Sequence, residues 1–270
     1  MATPNGAATR LRAMTYNIAA GVGIDHQRDL ARTARVIRDA RVDVVGVQEV
    51  DRHFHARSGF VDQAAWLAQE LGMYVAFGAN LDLDPPEPGA PRRQFGNAIL
   101  SVEPILDWDN TLLPRFDGHE QRGVLRARID VRGEPWQVYA THLQHNDPAE
   151  RLVQAQAVAK LVDASDEPAV LLGDLNATPD TPEIQALTAS LVDTWQVAGR
   201  WLPWTFPDPV PNRRIDYVMR TPGGPTYSTR VVSSLTAWIA SDHRPVVADL
   251  APPARPTPPT PPAPPPPGAA

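Results

Sequence analysis

From Leu11 onward, short apolar runs alternate with segments whose apolar residues recur every three or four positions. The first kind predicts buried strands and the second amphipathic helices, so the chain is expected to cover sheet with helices. Residues 11–20 form the first run, which ends at Gly21 and Gly23. Leu30, Ala34 and Ile37 then follow helical spacing up to residues 41–42, and the β-branched stretch 42–47 predicts a strand buried on both faces. A second helix is predicted over 63–71, with Asp62 as its N-cap and Gly72 as its stop. Pro85, Pro86, Pro88 and Pro91 remove donors and fix φ, so residues 80–93 are expected to form a surface loop without regular structure.

Four strand-like runs follow with no helix between them, at 95–101, 105–113, 124–131 and 136–142, with turn chemistry at Gly118 and Gly133. Consecutive strands of this kind suggest antiparallel pairing, hence mixed sheets. Asp147 and Pro148 open a helix with Leu152, Ala155, Ala159 and Val162 on one face. A buried strand is predicted at 169–172, a short helix opens at Thr181-Pro182-Glu183, and 214–219, 231–236 and 246–250 supply the closing strands. After Leu250 the composition turns almost uncharged and proline-dominated. The expected organisation is an N-terminal extension over 1–10, one catalytic domain over 11–250, and a disordered, polyproline-II-rich tail over 251–270.

The 270 residues are ample to bury a core. Lys and Arg number 25 against 31 Asp and Glu, a net charge of −6 that is not the signature of a protein gripping nucleic acid by charge. Nucleic acid stays open as a substrate, because an acid-lined pocket becomes electropositive once it binds a metal. With no cysteine, disulfides, thiolate zinc sites and a cysteine nucleophile are ruled out. No secretory-type apolar segment opens the sequence, and no stretch approaches the ~20 apolar residues that span a bilayer, so a cytoplasmic protein without membrane insertion is the default expectation.

Several apolar runs end in groups suited to a cation or a phosphate. Glu49 closes the run 42–50, so its carboxylate is expected to project beyond the sheet, either as a metal ligand or as a solvated strand-end glutamate, with Gln48 beside it. Asp174 and Asn176 are two apart and face one side of an extended segment, where the first could orient a water and the second donate to a phosphate oxygen. An Asx-turn closing the strand is the competing explanation. In Ser241-Asp242-His243 the aspartate is a candidate for the cation and the histidine for the scissile phosphate, with Asp216 as the carboxylate that orients the imidazole. His142 repeats the pattern of an apolar run with a polar tip. With Asn17 at the end of the first strand, these groups suit one hard divalent ion and attack of water on a phosphate ester.

The motifs MTYNI, GVQEV, GNAILS, YATHLQ, LLGDLNATP, RIDYV and SDHRPV occur in this order. As an ordered set covering about residues 11–250 they resemble the endonuclease/exonuclease/phosphatase superfamily, which includes deoxyribonuclease I, repair nucleases, inositol polyphosphate 5-phosphatases, neutral sphingomyelinases and deadenylases. The resemblance implies a four-layer α/β sandwich, two packed mixed β-sheets flanked by helices, with a Mg²⁺- or Mn²⁺-dependent phosphoesterase site at one rim. It implies Glu49 as principal metal ligand, with Asn17 and Asp242 in direct or water-mediated contact. Asp174 resembles the residue that orients the attacking water, Asn176 the phosphate-binding amide, and His243, paired to Asp216, the histidine that stabilises the phosphorane. His142 resembles a second phosphate-contacting histidine, and Asn97 a position that often lines the pocket. Two departures stand out: Ser101 is followed by Val102-Glu103 where many relatives have an arginine, and no carboxylate partner for His142 is evident.

The substrate is less defined. Residues 51–59 carry Arg52, His53, His55 and Arg57 away from Glu49 and could contact its non-reacting part; the His-x-His spacing also suits a metal, although a solvated loop is favoured. Arg92, Arg93, Arg213 and Arg214 are candidate phosphate contacts or solvent-facing charge. Trp201, Trp204 and Phe206 offer either a stacking wall or a cap on the core. The leading expectation is a metal-dependent phosphodiesterase, nucleases included. The alternatives are a phosphomonoesterase acting on a phosphorylated sugar, inositol or lipid headgroup, and a catalytically idle binding module. In that last case the proline-rich tail would recruit a partner with an aromatic groove, although a flexible terminus is the commoner role for such a tail.

Overall fold

The computed structural model describes residues 10–253. Among the described residues, thirteen strands run in chain order as β1 (Leu11–Asn17), β2 (Val44–Arg52), β3 (Tyr74–Leu83), β4 (Arg93–Ser101), β5 (Ile105–Leu112), β6 (Gly123–Val131), β7 (Glu134–His142), β8 (Ala169–Asp174), β9 (Val192–Asp193), β10 (Gly199–Arg200), β11 (Asp216–Arg220), β12 (Thr226–Val231) and β13 (Val246–Leu250). The helices are α1 (Leu30–Ala40), α2 (Gln63–Leu71), α3 (Pro148–Asp163), α4 (Pro182–Thr188), α5 (Thr194–Ala198) and α6 (Leu235–Ala240). One sheet has the order β10-β12-β13-β1-β2-β4-β3 and the other β5-β6-β7-β8-β11-β9. Both are mixed: β1–β2 and β7–β8 pair parallel, while most other neighbours pair antiparallel.

Alternate residues of one strand serve different layers. Leu11 and Ala13 of β1 pack with Leu125, Val138, Val170 and Leu172 in a core between the sheets. Met14 and Tyr16 of the same strand turn outward, to Ile37 of α1, Leu67 of α2 and Ala237 of α6. On the second sheet, Leu171 and Met219 turn outward to Val158 and Val162 of α3 and Leu187 of α4. The result is helix, sheet, sheet, helix, and burial on both faces explains why the central strands are continuous apolar runs. Close sheet approach needs small side chains: a Cβ on Gly46 would lie 2.8 Å from Leu172 Cβ of the facing sheet.

The helix ends follow their caps. Asp62 accepts from Ala65 N and Gly72 closes α2 in the left-handed region. Asp147 accepts from Ala149 N and Glu150 N at the start of α3. The buried face of α3 runs through Ala155, Val158, Ala159 and Val162, leaving the expected Leu152 only half-buried at its margin.

Several expectations are corrected. Residues 74–83 form β3, and Leu81, Asp82 and Leu83 pair with β4, because the prolines begin only at Pro85 and the ladder runs up to them. β4 and β5 are consecutive but belong to different sheets. The segment 231–236 is not a strand: β12 ends at Val231, and Ser234 caps α6 by accepting from Ala237 N. Ala251, expected in the tail, is buried, and its N–H donates to the Pro225 carbonyl at 3.1 Å. Residues 1–9 and 254–270, which carry most of the expected extension and tail, lie outside the described residues. Among the described residues no helix is long and apolar enough to cross a membrane.

Candidate active site

The polar tips converge on one rim. β8 lies between β7 and β11, and the ladders set Asp174 opposite His142 on one side and opposite Asp216 on the other. A cavity of about 360 Å³ opens there, lined by Glu49, His142, Asp174, Asn176, Asp242 and His243 among others. Asn17 and Asp216 are buried behind its wall, at 0% and 1% exposure.

Glu49 does not end its strand. β2 continues to Arg52, and the register against β4 slips between Val47 and Val50, where Glu49 adopts φ 57°. A bulge of this kind re-aims one side chain without ending the ladder, and a glutamate in the left-handed region stores strain for that placement. Asn17 Nδ2 donates to Glu49 Oε1 at 3.2 Å and to Asp174 Oδ2 at 3.0 Å, while its Oδ1 accepts from Ala19 N at 3.1 Å. Asn17, expected among the metal ligands, therefore turns its donor face to the carboxylates and its oxygen to the backbone.

Asp174 Oδ1 also accepts from Asn176 N at 3.0 Å, so the Asx-turn and the site coexist. Burial is the main influence on the Asp174 carboxyl; despite the opposing charge of His243, its pKa is pushed up to about 7. His243 Nδ1 lies 3.0 Å from Asp216 Oδ2 and donates to that carboxylate, leaving Nε2 3.6 Å from Asp174 Oδ2. Burial works against its protonation, but Asp216 and Asp174 outweigh this and raise its pKa to about 10, so the ring is an imidazolium at neutral pH. The Phe206 ring packs on His243 with centroids 4.5 Å apart, and Ser241 Oγ ties the turn to the Asn17 carbonyl at 2.7 Å.

His142 has a different state. The Asn176 amide donates to the Leu143 carbonyl at 3.1 Å, which fixes its orientation, and to His142 Nε2 at 3.0 Å. Nε2 therefore accepts and Nδ1 carries the proton. Burial, reinforced by the charge of Arg122, holds the His142 pKa well below its usual value. Asp174 Oδ2 lies 3.4 Å from Nε2, but a neutral ring whose Nε2 accepts has no proton to give it, so Asp174 is a neighbour of His142 and not its hydrogen-bond partner. Asn97 does not line the cavity; it is buried and donates to the Gly123 carbonyl at 3.2 Å, joining the two sheets.

Glu49 and Asp242 have no Arg or Lys ion-pair partner among the described residues. Two carboxylates without a direct ion pair on a cavity wall suit a hard dication, and Mg²⁺ is commonly held by one or two carboxylates with water and substrate oxygens. Among the described residues, two groups of three histidine and carboxylate ligand atoms lie within 4.8 Å of one another, Asp174-Asp216-His243 and His119-Asp147-Glu150, and Glu49 and Asp242 belong to neither.

Among the substrate candidates, Arg57 lines the cavity, whereas His53 and His55 bind backbone in their own turn, at the Phe60 carbonyl and at Arg57 N. Arg92 pairs with Asp82 and Asp84, Arg214 is buried against Asp193, and Arg213 stacks on Phe206. Trp201 and Trp204 line a separate apolar groove with Trp238, and only Phe206 of that motif reaches the cavity. Sequence reasoning missed Phe95, Glu120, Arg122 and His145, which also line it.

The profile of the endonuclease/exonuclease/phosphatase family matches residues 14–243. The chain belongs to this family. An endonuclease/exonuclease/phosphatase crystal structure from Beutenbergia cavernae DSM 12333 is similar with a TM-score of 0.74 and 31% identity, over 91% of this chain and 72% of that chain. The mannosyl-6-phosphatase of Bacteroides thetaiotaomicron VPI-5482 shares the fold at a TM-score of 0.70 and 19% identity, over 89% of this chain and 99% of that one. D. rerio TDP2, complexed with a single-strand DNA product, does so at 0.67 and 18%, over 90% and 99%. Protein cwh43 of Schizosaccharomyces pombe is 33% identical over 143 residues, a match that spans 53% of this chain and 14% of that much longer protein. The family's fold, two mixed sheets between helices, is the one described above.

Proposed function

We propose that this chain is a divalent-metal-dependent phosphodiesterase that hydrolyses its ester by in-line attack of water. The observation that carries this is the contact of Asp174, Asn17, His243 and Asp216 beside two carboxylates that lack a basic partner. Asp174, its carboxyl pushed up to about 7 by burial, takes the proton of the attacking water, and Asn17 and the Asn176 N–H fix its two oxygens. The His243 imidazolium donates from Nε2 to the charge that develops on phosphate oxygens, while Asp216 holds its tautomer. His142, kept neutral, acts as a hydrogen-bonding wall that orders the Asn176 amide, and a phosphate contact from that amide exchanges one of its present bonds. Glu49 and Asp242 would hold Mg²⁺ or Mn²⁺, which when bound polarises the phosphate and offsets its charge.

A diester fits better than a monoester. The cavity wall sets Arg57, Arg122 and His243 against the carboxylates of Glu49, Glu120, Asp174 and Asp242, so its side chains leave no surplus positive charge for the second charge of a monoester dianion. In the test, chelator-stripped protein resupplied with Mg²⁺ or Mn²⁺ is assayed in parallel on bis-p-nitrophenyl phosphate, p-nitrophenyl phosphate, DNA, RNA and sphingomyelin. Metal-restored turnover with the diester above the monoester is expected. Monoester preference would favour a phosphatase, and absence of metal-dependent turnover on every substrate would favour the binding module.

A further inference from the structure

The cavity is also lined by Arg57, Glu120 and Arg122, and their charges are matched in pairs. Arg57 reaches the buried Asp51 carboxylate through Nη2 at 2.9 Å and Nε at 3.1 Å and lies 5.5 Å from the Phe95 ring centroid. Phe95 in turn sits 5.5 Å from Phe54, centroid to centroid. Arg122 is 4% exposed, with Nη1 3.2 Å from Glu120 Oε1 and Nη2 3.3 Å from His145 Nδ1. Glu120 keeps 38% of its side chain exposed. Its charge also reaches Arg57, whose pKa is raised first by the hydrogen bond to Asp51 and further by Glu49 and Glu120.

Each arginine thus has its own carboxylate, and the wall presents N–H donors, a free carboxylate oxygen and ring faces without surplus positive charge. Such a surface suits hydroxyls and a ring, and is poor for an additional anion. We propose that Glu120 is a specificity residue that accepts from hydroxyls on the non-reacting part of the ester and turns away esters bearing a second phosphate there. This rests on the hydrolase reading of the neighbouring cluster. Glu120, Arg57 and Arg122 line the same cavity of about 360 Å³ as Asp174 and His243, so an ester held at the hydrolytic cluster shares that space with this wall.

The test uses the p-nitrophenyl ester of thymidine 5′-phosphate with either a 3′-hydroxyl or a 3′-phosphate, so the reacting group is constant and only the remote charge changes. Wild type is expected to favour the 3′-hydroxyl ester in kcat/KM by about tenfold or more, Glu120→Gln to reduce that ratio about tenfold, and Glu120→Asp to keep it, as expected for one charge at short range. The same three chains, loaded with Mg²⁺, are titrated calorimetrically with thymidine 5′-phosphate and with thymidine 3′,5′-bisphosphate. Discrimination in binding that disappears in Glu120→Gln, without turnover of either ester, upholds Glu120 and refutes the hydrolase reading. A ratio that is the same in wild type and Glu120→Gln, or a wild-type preference for the second phosphate, overturns the assignment of Glu120. Loss of fold in Glu120→Gln would show in its melting curve, and the Glu120→Asp chain and the wild-type preference then decide.

Discussion

Asp174 has its surroundings arranged by three separate means: ladder register brings His142 and Asp216, a turn brings the Asn176 N–H, and the other sheet brings Asn17. Asp174→Asn and His243→Ala are each expected to lower kcat by about 10²–10⁴-fold, the usual contribution of a positioned acid or base, with the circular dichroism spectrum retained. Turnover near wild type in either variant would remove the residue from the mechanism. His142 gives a stability prediction. Its folded pKa lies below the unfolded one, so the unfolded chain binds the extra proton and stability falls as pH drops below about 6.5. Its contribution approaches about 1.4 kcal/mol per pH unit, so His142→Gln should show a shallower loss of unfolding free energy between pH 6.5 and 5 in urea melts, and equal slopes would contradict a buried neutral ring. The residues visible in the sequence were those at the ends of apolar runs. Phe95 and Arg122 were missed because they stand at the starts of antiparallel strands, where Phe95 pairs with Asp51 and Val124 with Thr141, so chain direction hid a shared rim.

At the scale of elements, strands buried on both faces and capped helices were legible, because continuous β-branched runs and Asp or Gly at helix ends have direct physical causes. Segments without a distinct pattern were not. β3 carries Gly78, Asn80 and Asp82 before it ends at Leu83, which masks its alternation, and 231–236 is rich in strand-forming residues although Ser234 caps a helix there. The bulge at Glu49 is invisible in sequence because it depends on pairing with β4. Gly46 marks the tightest requirement of β2, since a methyl there would press on Leu172 and Ala140 of the facing sheet. Gly46→Ala is expected to cost about 1–3 kcal/mol by overpacking, seen as a lower urea midpoint with unchanged slope. A midpoint equal to wild type would mean that the two sheets can separate there without loss.

The whole molecule joins its two sheets at one rim: the first contributes Asn17 and Glu49, the second His142, Asp174 and Asp216, and the turn before β13 contributes Asp242 and His243. This explains why the ordered motifs conveyed the family while single motifs conveyed little, since each supplies a part of one cavity. It also makes a net charge of −6 compatible with the proposed phosphate-ester substrate, because the cation that Glu49 and Asp242 would hold would offset the local negative charge. The most direct test is Mn²⁺ binding to the chelator-stripped chain, followed by electron paramagnetic resonance alongside hydrolysis of bis-p-nitrophenyl phosphate. The account predicts that turnover rises with Mn²⁺ occupancy and that both are lost together in Glu49→Gln. Full turnover in the stripped chain, or Mn²⁺ binding and hydrolysis undiminished in Glu49→Gln, would contradict it.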